Sequence, residues 1–127
     1  MKGQKNLTRR ERQIMDIVYE LNQATVAQVL EKIPNPPSYS TVRALLRVLE
    51  EKGHLTHKQE GPRYIYSPTI PREEARRNAL RHVMKIFFDD STEDVVAALL
   101  NISEDNLSEI DYKRLSELVK KARKEGR

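Results

Sequence analysis

The stretch from Ser38 to Gly53, SYSTVRALLRVLEEKG, constrains the fold of this chain more than any other. Val42, Leu45, Leu46 and Leu49 recur at i, i+3, i+4 and i+7, so a 3.6-residue helix gathers them into one apolar stripe that must be covered. Advancing about 100° per residue sets Ser40, Ala44, Arg47 and Glu51 on the opposite side, with Arg43 beside them. Ser38 suits an N-cap and Gly53 the C′ position, so the helix has a defined start and end. A helix with Ser40, Thr41, Arg43 and Arg47 projecting from its first turns has the size and chemistry to lie in a DNA major groove. An ordinary solvated face can carry the same side chains, so the neighbouring segments decide.

Upstream, Thr8 and Glu11 have the spacing of a reciprocal capping box, and Ile14, Ile17, Val18 and Leu21 make the buried stripe of a first helix that Asn22-Gln23 interrupts. Ala24-Thr25 reads either as a short extended segment or as an N-cap. Val26, Val29, Leu30 and Ile33 repeat the helical spacing until Pro34, and Pro36-Pro37 keeps the next turn extended. This second helix, the turn and the Ser38 helix have the form of a helix-turn-helix.

Downstream, Leu55 to Gln59 is compatible with a strand, Glu60-Gly61-Pro62 signals a turn, and Arg63-Tyr64-Ile65-Tyr66 is a strong strand. Three helices followed by a hairpin make a winged helix. Lys58 and Arg63 near the hairpin tip are then placed to reach backbone phosphate, although charges on an edge strand also serve to prevent aggregation.

Pro68 and Pro71 mark the boundary between two expected domains, a winged helix over residues 1–70 and a helical domain over 71–127. Pro71 with Glu73 and Glu74 suits the first turn of a fourth helix, which carries Leu80, Val83, Met84 and Phe87. Asp89-Asp90-Ser91 stops it. Ser91 caps a fifth helix with Val95, Val96, Leu99 and Leu100. Ser108 with Asp111 caps a sixth, whose apolar face is Tyr112, Leu115, Leu118, Val119 and Ala122 and which runs into a basic tail, Lys120 to Arg127. Three helices in fewer than about 60 residues bury such side chains poorly alone, so a second copy of the chain is the expected cover. The fold class expected is mainly α with a small β wing: a winged helix-turn-helix followed by a helical dimerisation region.

Charge and composition agree with a nucleic-acid partner. The chain has 127 residues, 23 basic and 19 acidic, for a net charge of +4. Residues 1–68 hold 11 basic and 7 acidic groups, whereas residues 69–127 hold 12 of each, so the whole excess lies in the half with the Ser38 helix. The absence of cysteine excludes disulfides, thiolate metal sites and thiol catalysis. No apolar run approaches the length of a membrane span, and MKGQKNLTRRERQ has no apolar region behind its basic residues, so a cytoplasmic protein without membrane insertion is expected. No metalloprotease motif, phosphate loop or triad order is present among three histidines, His54, His57 and His82. Neither enzymatic activity, a metal nor a cofactor is expected.

Taken together, LTRRERQIMDIVYEL, SYSTVRALLRVLEEKGHL, the wing ending in GPRYIYSP, and the tail segment STEDVVAALLN resemble the penicillinase repressor (BlaI/MecI/CopY) family of bacterial transcription regulators. The resemblance covers essentially the whole chain. It implies an N-terminal winged helix, a C-terminal dimerisation domain, and repression of resistance or stress genes through a palindromic DNA operator bound by a homodimer. By position it sets Ser40, Thr41, Arg43 and Arg47 on the DNA side. The copper-responsive branch carries cysteine pairs that this chain lacks, which excludes copper sensing through thiolates. In the β-lactam-responsive branch a membrane sensor protease cuts after an Asn between the last two helices. Asn101 occupies a similar place, followed by Ile102 where an aromatic would match better. A winged helix that contacts protein instead of DNA is the alternative, separable by its lack of salt-dependent duplex binding.

Overall fold

The computed structural model describes residues 7–126. The opening segment with Lys2 and Lys5, and Arg127 at the end of the basic tail, lie outside the described residues. The elements are α1 (Arg9–Leu21), α2 (Val26–Lys32), α3 (Tyr39–Glu51), β1 (Leu55–Glu60), β2 (Arg63–Pro68), α4 (Arg72–Phe87), α5 (Thr92–Ser103), a 3₁₀ turn (Glu104–Asn106) and α6 (Glu109–Gly126). Among the described residues the fold is mainly helical with one antiparallel hairpin as its wing.

The starts of α1, α2 and α3 and the ends of α1 and α3 each have a chemical cause. At α1 the Glu11 N–H donates to the Thr8 hydroxyl at 3.2 Å, and the Thr8 N–H donates to Glu11 Oε1 at 3.0 Å. Thr25 and Gln28 make the same reciprocal pair at α2. Asn22 ends α1 with φ 75°, in the left-handed range that asparagine tolerates better than most residues. Ser38 caps α3 by accepting from the Thr41 N–H at 3.1 Å. The other end of α3 is a Schellman motif: the Gly53 N–H donates to Glu50 O at 3.0 Å and the His54 N–H to Leu49 O at 2.9 Å. Gly53 sits at φ 89°, a conformation that a side chain would strain.

The wing follows at once. β1 and β2 pair from Leu55↔Pro68 to Glu60↔Arg63, leaving Gly61-Pro62 as a two-residue turn. Gly61 has φ 61°, and proline fixes a negative φ after it, which is the sign pattern of a II′ turn suited to twisted strands. Ala24 adds a third partner, exchanging backbone hydrogen bonds with Tyr66 at 2.9 and 2.8 Å. Both readings of Ala24-Thr25 are thus realised, Ala24 as extended backbone and Thr25 as a cap.

The chain divides into two compact units, Met1–Ala79 and Leu80–Arg127, with the division inside α4. In the first unit, Ile14, Val18, Val29, Val42, Leu46, Leu49 and Leu55 are the largest fully buried side chains. Leu45, at the edge of the α3 stripe, is only partly buried against this core. The Tyr19 hydroxyl donates to Ile70 O at 3.2 Å, which ties the end of the wing back to α1. The Pro71 carbonyl accepts from the Ala75 N–H, so proline precedes α4 at the N-cap position.

The second unit is built differently. Ser91 caps α5, and Ser108 and Asp111 cap α6 reciprocally. Asp89 and Asp90, both at positive φ, turn the chain between α4 and α5. No described residue of α4, α5 or α6 is buried. Phe87 is 74% exposed and Ile102 77%. No described helix is long and apolar enough to cross a membrane.

Candidate nucleic-acid interface

The outward face of α3 is held from beneath. Val42, Leu46 and Leu49 are wholly buried, so the rotation of the helix about its axis is fixed, and Ser40, Thr41, Arg43 and Arg47 emerge exposed on the other side. Ser38, Ser40 and Thr41 form a hydroxyl cluster at the start of the helix. The Ser38 hydroxyl donates to Thr41 Oγ1 at 2.9 Å and lies 3.2 Å from Ser40 Oγ. Neither Arg43 nor Arg47 forms an ion pair with a carboxylate among the described residues, which leaves two cationic forks facing solvent.

The wing contributes Lys58 and Arg63, both exposed near its tip. Between them stands Glu60, 3.8 Å from Lys58 Nζ and 4.0 Å from an Arg63 guanidinium nitrogen. The tip is therefore less positive than its two basic residues suggest. Glu60 was visible in the sequence as a turn residue, but its charge matters only once the hairpin register brings it between the two.

Behind the tip the wing is fastened to α3. His57 Nδ1 lies 2.7 Å from Glu50 Oε1 and 2.8 Å from Oε2, a contact between β1 and α3. The face of His57 stacks on Tyr64, with ring centroids 4.2 Å apart and planes inclined by 10°. Tyr66 packs at a tilt against both rings. Burial pushes the Tyr66 phenol up, as do Glu50 and Tyr64, while Arg43 and Arg47 pull it down. Both arginines therefore lie within electrostatic reach of the wing base.

Between α3, the wing and the start of α2, where Thr25, Val26 and Ala27 lie, is an open cleft of about 490 Å³. Tyr39 and Arg43 of α3 line one wall, and Gln59, Arg63 and Tyr64 of the wing the other. Neither Tyr39 nor Tyr64 is among the residues that the sequence marks for DNA contact. Tyrosines at a helix start and in a strand carry no helical or two-residue pattern that marks them as facing each other.

His54 and His57, either side of the start of β1, have separate roles. His54 is buried, and burial lowers its pKa; the Lys52 charge adds to this and Glu11 opposes it. His57 is engaged by Glu50. Among the described residues no group of three or more His, Cys, Asp or Glu side chains could hold a metal ion. Asn101 and Ile102 are both exposed, but they lie in the final turn of α5, not in the connection between the last two helices. The Asn101 carbonyl accepts from the Glu104 N–H, so the helix continues past the pair and a protease must unwind it to reach the bond.

The penicillinase repressor family model matches residues 7–121. An uncharacterised 16.5 kDa protein in the ptsI 3′ region of Latilactobacillus sakei is 29% identical over 115 residues, spanning 89% of this chain and 77% of that protein. The solution structure of the DNA-binding domain of the repressor BlaI is 25% identical, with a TM-score of 0.49, covering 56% of this chain and 89% of that one. Bordetella bronchiseptica BpsR, whose DNA binding is regulated by 6-hydroxynicotinic acid, is 15% identical with a TM-score of 0.48, covering 95% of this chain and 78% of its own. A family match across nearly all of the described residues, on a winged helix with Arg43 and Arg47 exposed on α3, makes this chain a DNA-binding transcriptional repressor of the penicillinase repressor family and not an enzyme.

Proposed function

We propose that the protein acts in the cytoplasm as a homodimer that binds a palindromic operator and represses resistance or stress genes. The observation that carries this reading is the α3 face: Ser40, Thr41, Arg43 and Arg47 stand exposed over a fully buried Val42, Leu46 and Leu49. A rigid helix of that chemistry reads base edges, while Lys58 and Arg63 on the wing approach phosphate. The dimer is supported by α4, α5 and α6, which bury none of their described residues. Two-fold pairing of those apolar faces sets two copies of α3 against two half-sites.

Relief of repression by a membrane sensor protease cutting at Asn101–Ile102 is the family-derived expectation for induction. The exposure of both residues supports access, and the helical backbone requires local unwinding first. The test of DNA binding is a gel shift of full-length protein on a mixed-sequence duplex at low and high salt. Retardation that weakens steeply as salt rises is expected. A protein-contacting winged helix gives no salt-dependent retardation.

A further inference from the structure

The turn that delivers α3 is short of hydrogen-bond donors. Pro34, Pro36 and Pro37 carry no backbone N–H, so within Pro34-Asn35-Pro36-Pro37 only Asn35 brings one. The turn is also strained. Asn35 sits at φ 47°, whereas the residue before a proline is normally confined by the proline ring to extended backbone. Nor does core packing hold it: Ile33 and Val42 both belong to the core, but no residue between them is buried. Ser38, the cap of α3, lies in this stretch, so the cap, Ser40 and Thr41 stand wherever the turn sets them.

The missing donors come from α1. The Arg10 guanidinium donates from Nη1 to Pro34 O at 2.8 Å and from Nη2 to Asn35 O at 2.5 Å. Nη1 also donates to Gln13 Oε1 at 3.1 Å, one turn along α1, which orients the guanidinium plane. A planar fork suits two acceptors on successive residues, and the point charge of a lysine ammonium does not reproduce it.

We propose that Arg10 is a positioning residue for operator recognition: its fork, steered by Gln13, locks the strained Asn35 turn and thereby fixes the start of α3, with Ser40 and Thr41, against the base pairs it meets. The proposal rests on the DNA-binding reading above and deepens it. Arg10 acts through the turn and not through DNA. Both of its bonds to the turn lie at the surface, so water takes its place when it is removed, and the core beneath α3 stays as it is. What is lost is the definition of where α3 begins. Sequence preference should therefore suffer more than general affinity, which rests on phosphate contacts.

The test uses full-length protein and two duplexes, one selected by the parent from a random pool and one of mixed sequence. Arg10→Ala should bind the selected duplex about ten- to a hundredfold more weakly and the mixed duplex less than about threefold more weakly. Its slope of log affinity against log salt on the selected duplex should equal that of the parent. Arg10→Lys keeps the charge and loses the fork, so it should share most of the defect. Gln13→Ala, which keeps the guanidinium but frees its plane, should show a smaller loss of the same kind, and it carries the test if Arg10→Ala does not fold. Full affinity in Arg10→Lys, or a salt slope lowered by about 0.9 in Arg10→Ala, makes Arg10 a phosphate contact and overturns the proposal. Equal losses on both duplexes assign it a general structural role and overturn it too. A parent without salt-dependent binding to either duplex defeats the DNA reading itself, which is a separate outcome.

Discussion

Glu11 in the first turn of α1 and Lys52 at the C-cap of α3 meet at 2.9 Å, joining the start of one core helix to the end of another. Glu11 is 3% exposed and carries three jobs at once: it closes the Thr8 capping box, accepts from Lys52, and sits beneath His54 in charge terms. Because the Lys52 side chain is a third exposed, solvent screens the pair. Glu11→Gln should therefore cost about 1 to 3 kcal/mol, less than the loss of a sealed ion pair. Chemical denaturation of the two proteins measures this directly.

Stability should fall on acidification in two stages. Burial depresses His54, so the folded state resists a proton that the unfolded chain takes up as pH drops below 6.5, and stability declines from there. Glu11 follows at lower pH. Burial alone pushes its carboxyl up, but the Lys52 and Thr8 hydrogen bonds and the Lys52 charge together hold it below 4.5. Its contribution is present above 4.5 and is lost as pH falls through the lower folded value. Asp16, raised from 3.8 by burial against the pull of Arg12, acts in the opposite sense and softens the acid limb. Melting temperatures at pH 7.5, 5.5 and 4 should descend, and His54→Gln should flatten the first step.

Core and surface of α3 should separate cleanly. Leu46 is wholly buried, so Leu46→Ala should lose about 2 to 5 kcal/mol. Arg47, exposed one residue on, should melt within about 0.5 kcal/mol of the parent as alanine.

Glu60 should restrain the wing. It stands within 4.0 Å of both Lys58 and Arg63, so its carboxylate competes with phosphate for the same cations. Glu60→Gln should tighten binding to every duplex about equally, and Lys58→Ala should weaken every duplex and lower the salt slope by about one unit. A Lys58→Ala loss confined to one sequence means that the wing reads bases.

Assembly should depend on the C-terminal helices. Sedimentation of the full chain should give a dimer, and truncation after Pro71 should give a folded monomer with much weaker operator binding. A truncated form that stays dimeric contradicts this.

The winged helix was legible in the sequence because its signals are local. Thr8 with Glu11, Ser38, Gly53 and the Gly61-Pro62 turn each act within a few residues, and the α3 stripe repeats at helical spacing. What stayed hidden depends on contacts between elements. The Ala24–Tyr66 bridge is one residue long, too short for any strand pattern. The Glu50–His57 contact and the Tyr39–Tyr64 cleft join residues whose chain spacing carries no period. Asn101 resembles by position an Asn between the last two helices, but the Val95, Val96, Leu99, Leu100 periodicity has no breaker after it, so α5 continues through Ser103.

If α3 reads the operator, Arg47 is the residue whose loss shows it. Arginine is the side chain best matched to guanine O6 and N7, and Arg47 is exposed on a helix whose rotation the core fixes. Selection of bound duplexes from a random pool, carried out in parallel with the parent and Arg47→Ala, measures its role. The parent should select one operator, and the variant the same operator with relaxed preference at one base pair per half-site and a loss of about 1 to 3 kcal/mol. An Arg47→Ala protein that selects the parent's operator with unchanged affinity would mean that α3 does not read bases through Arg47.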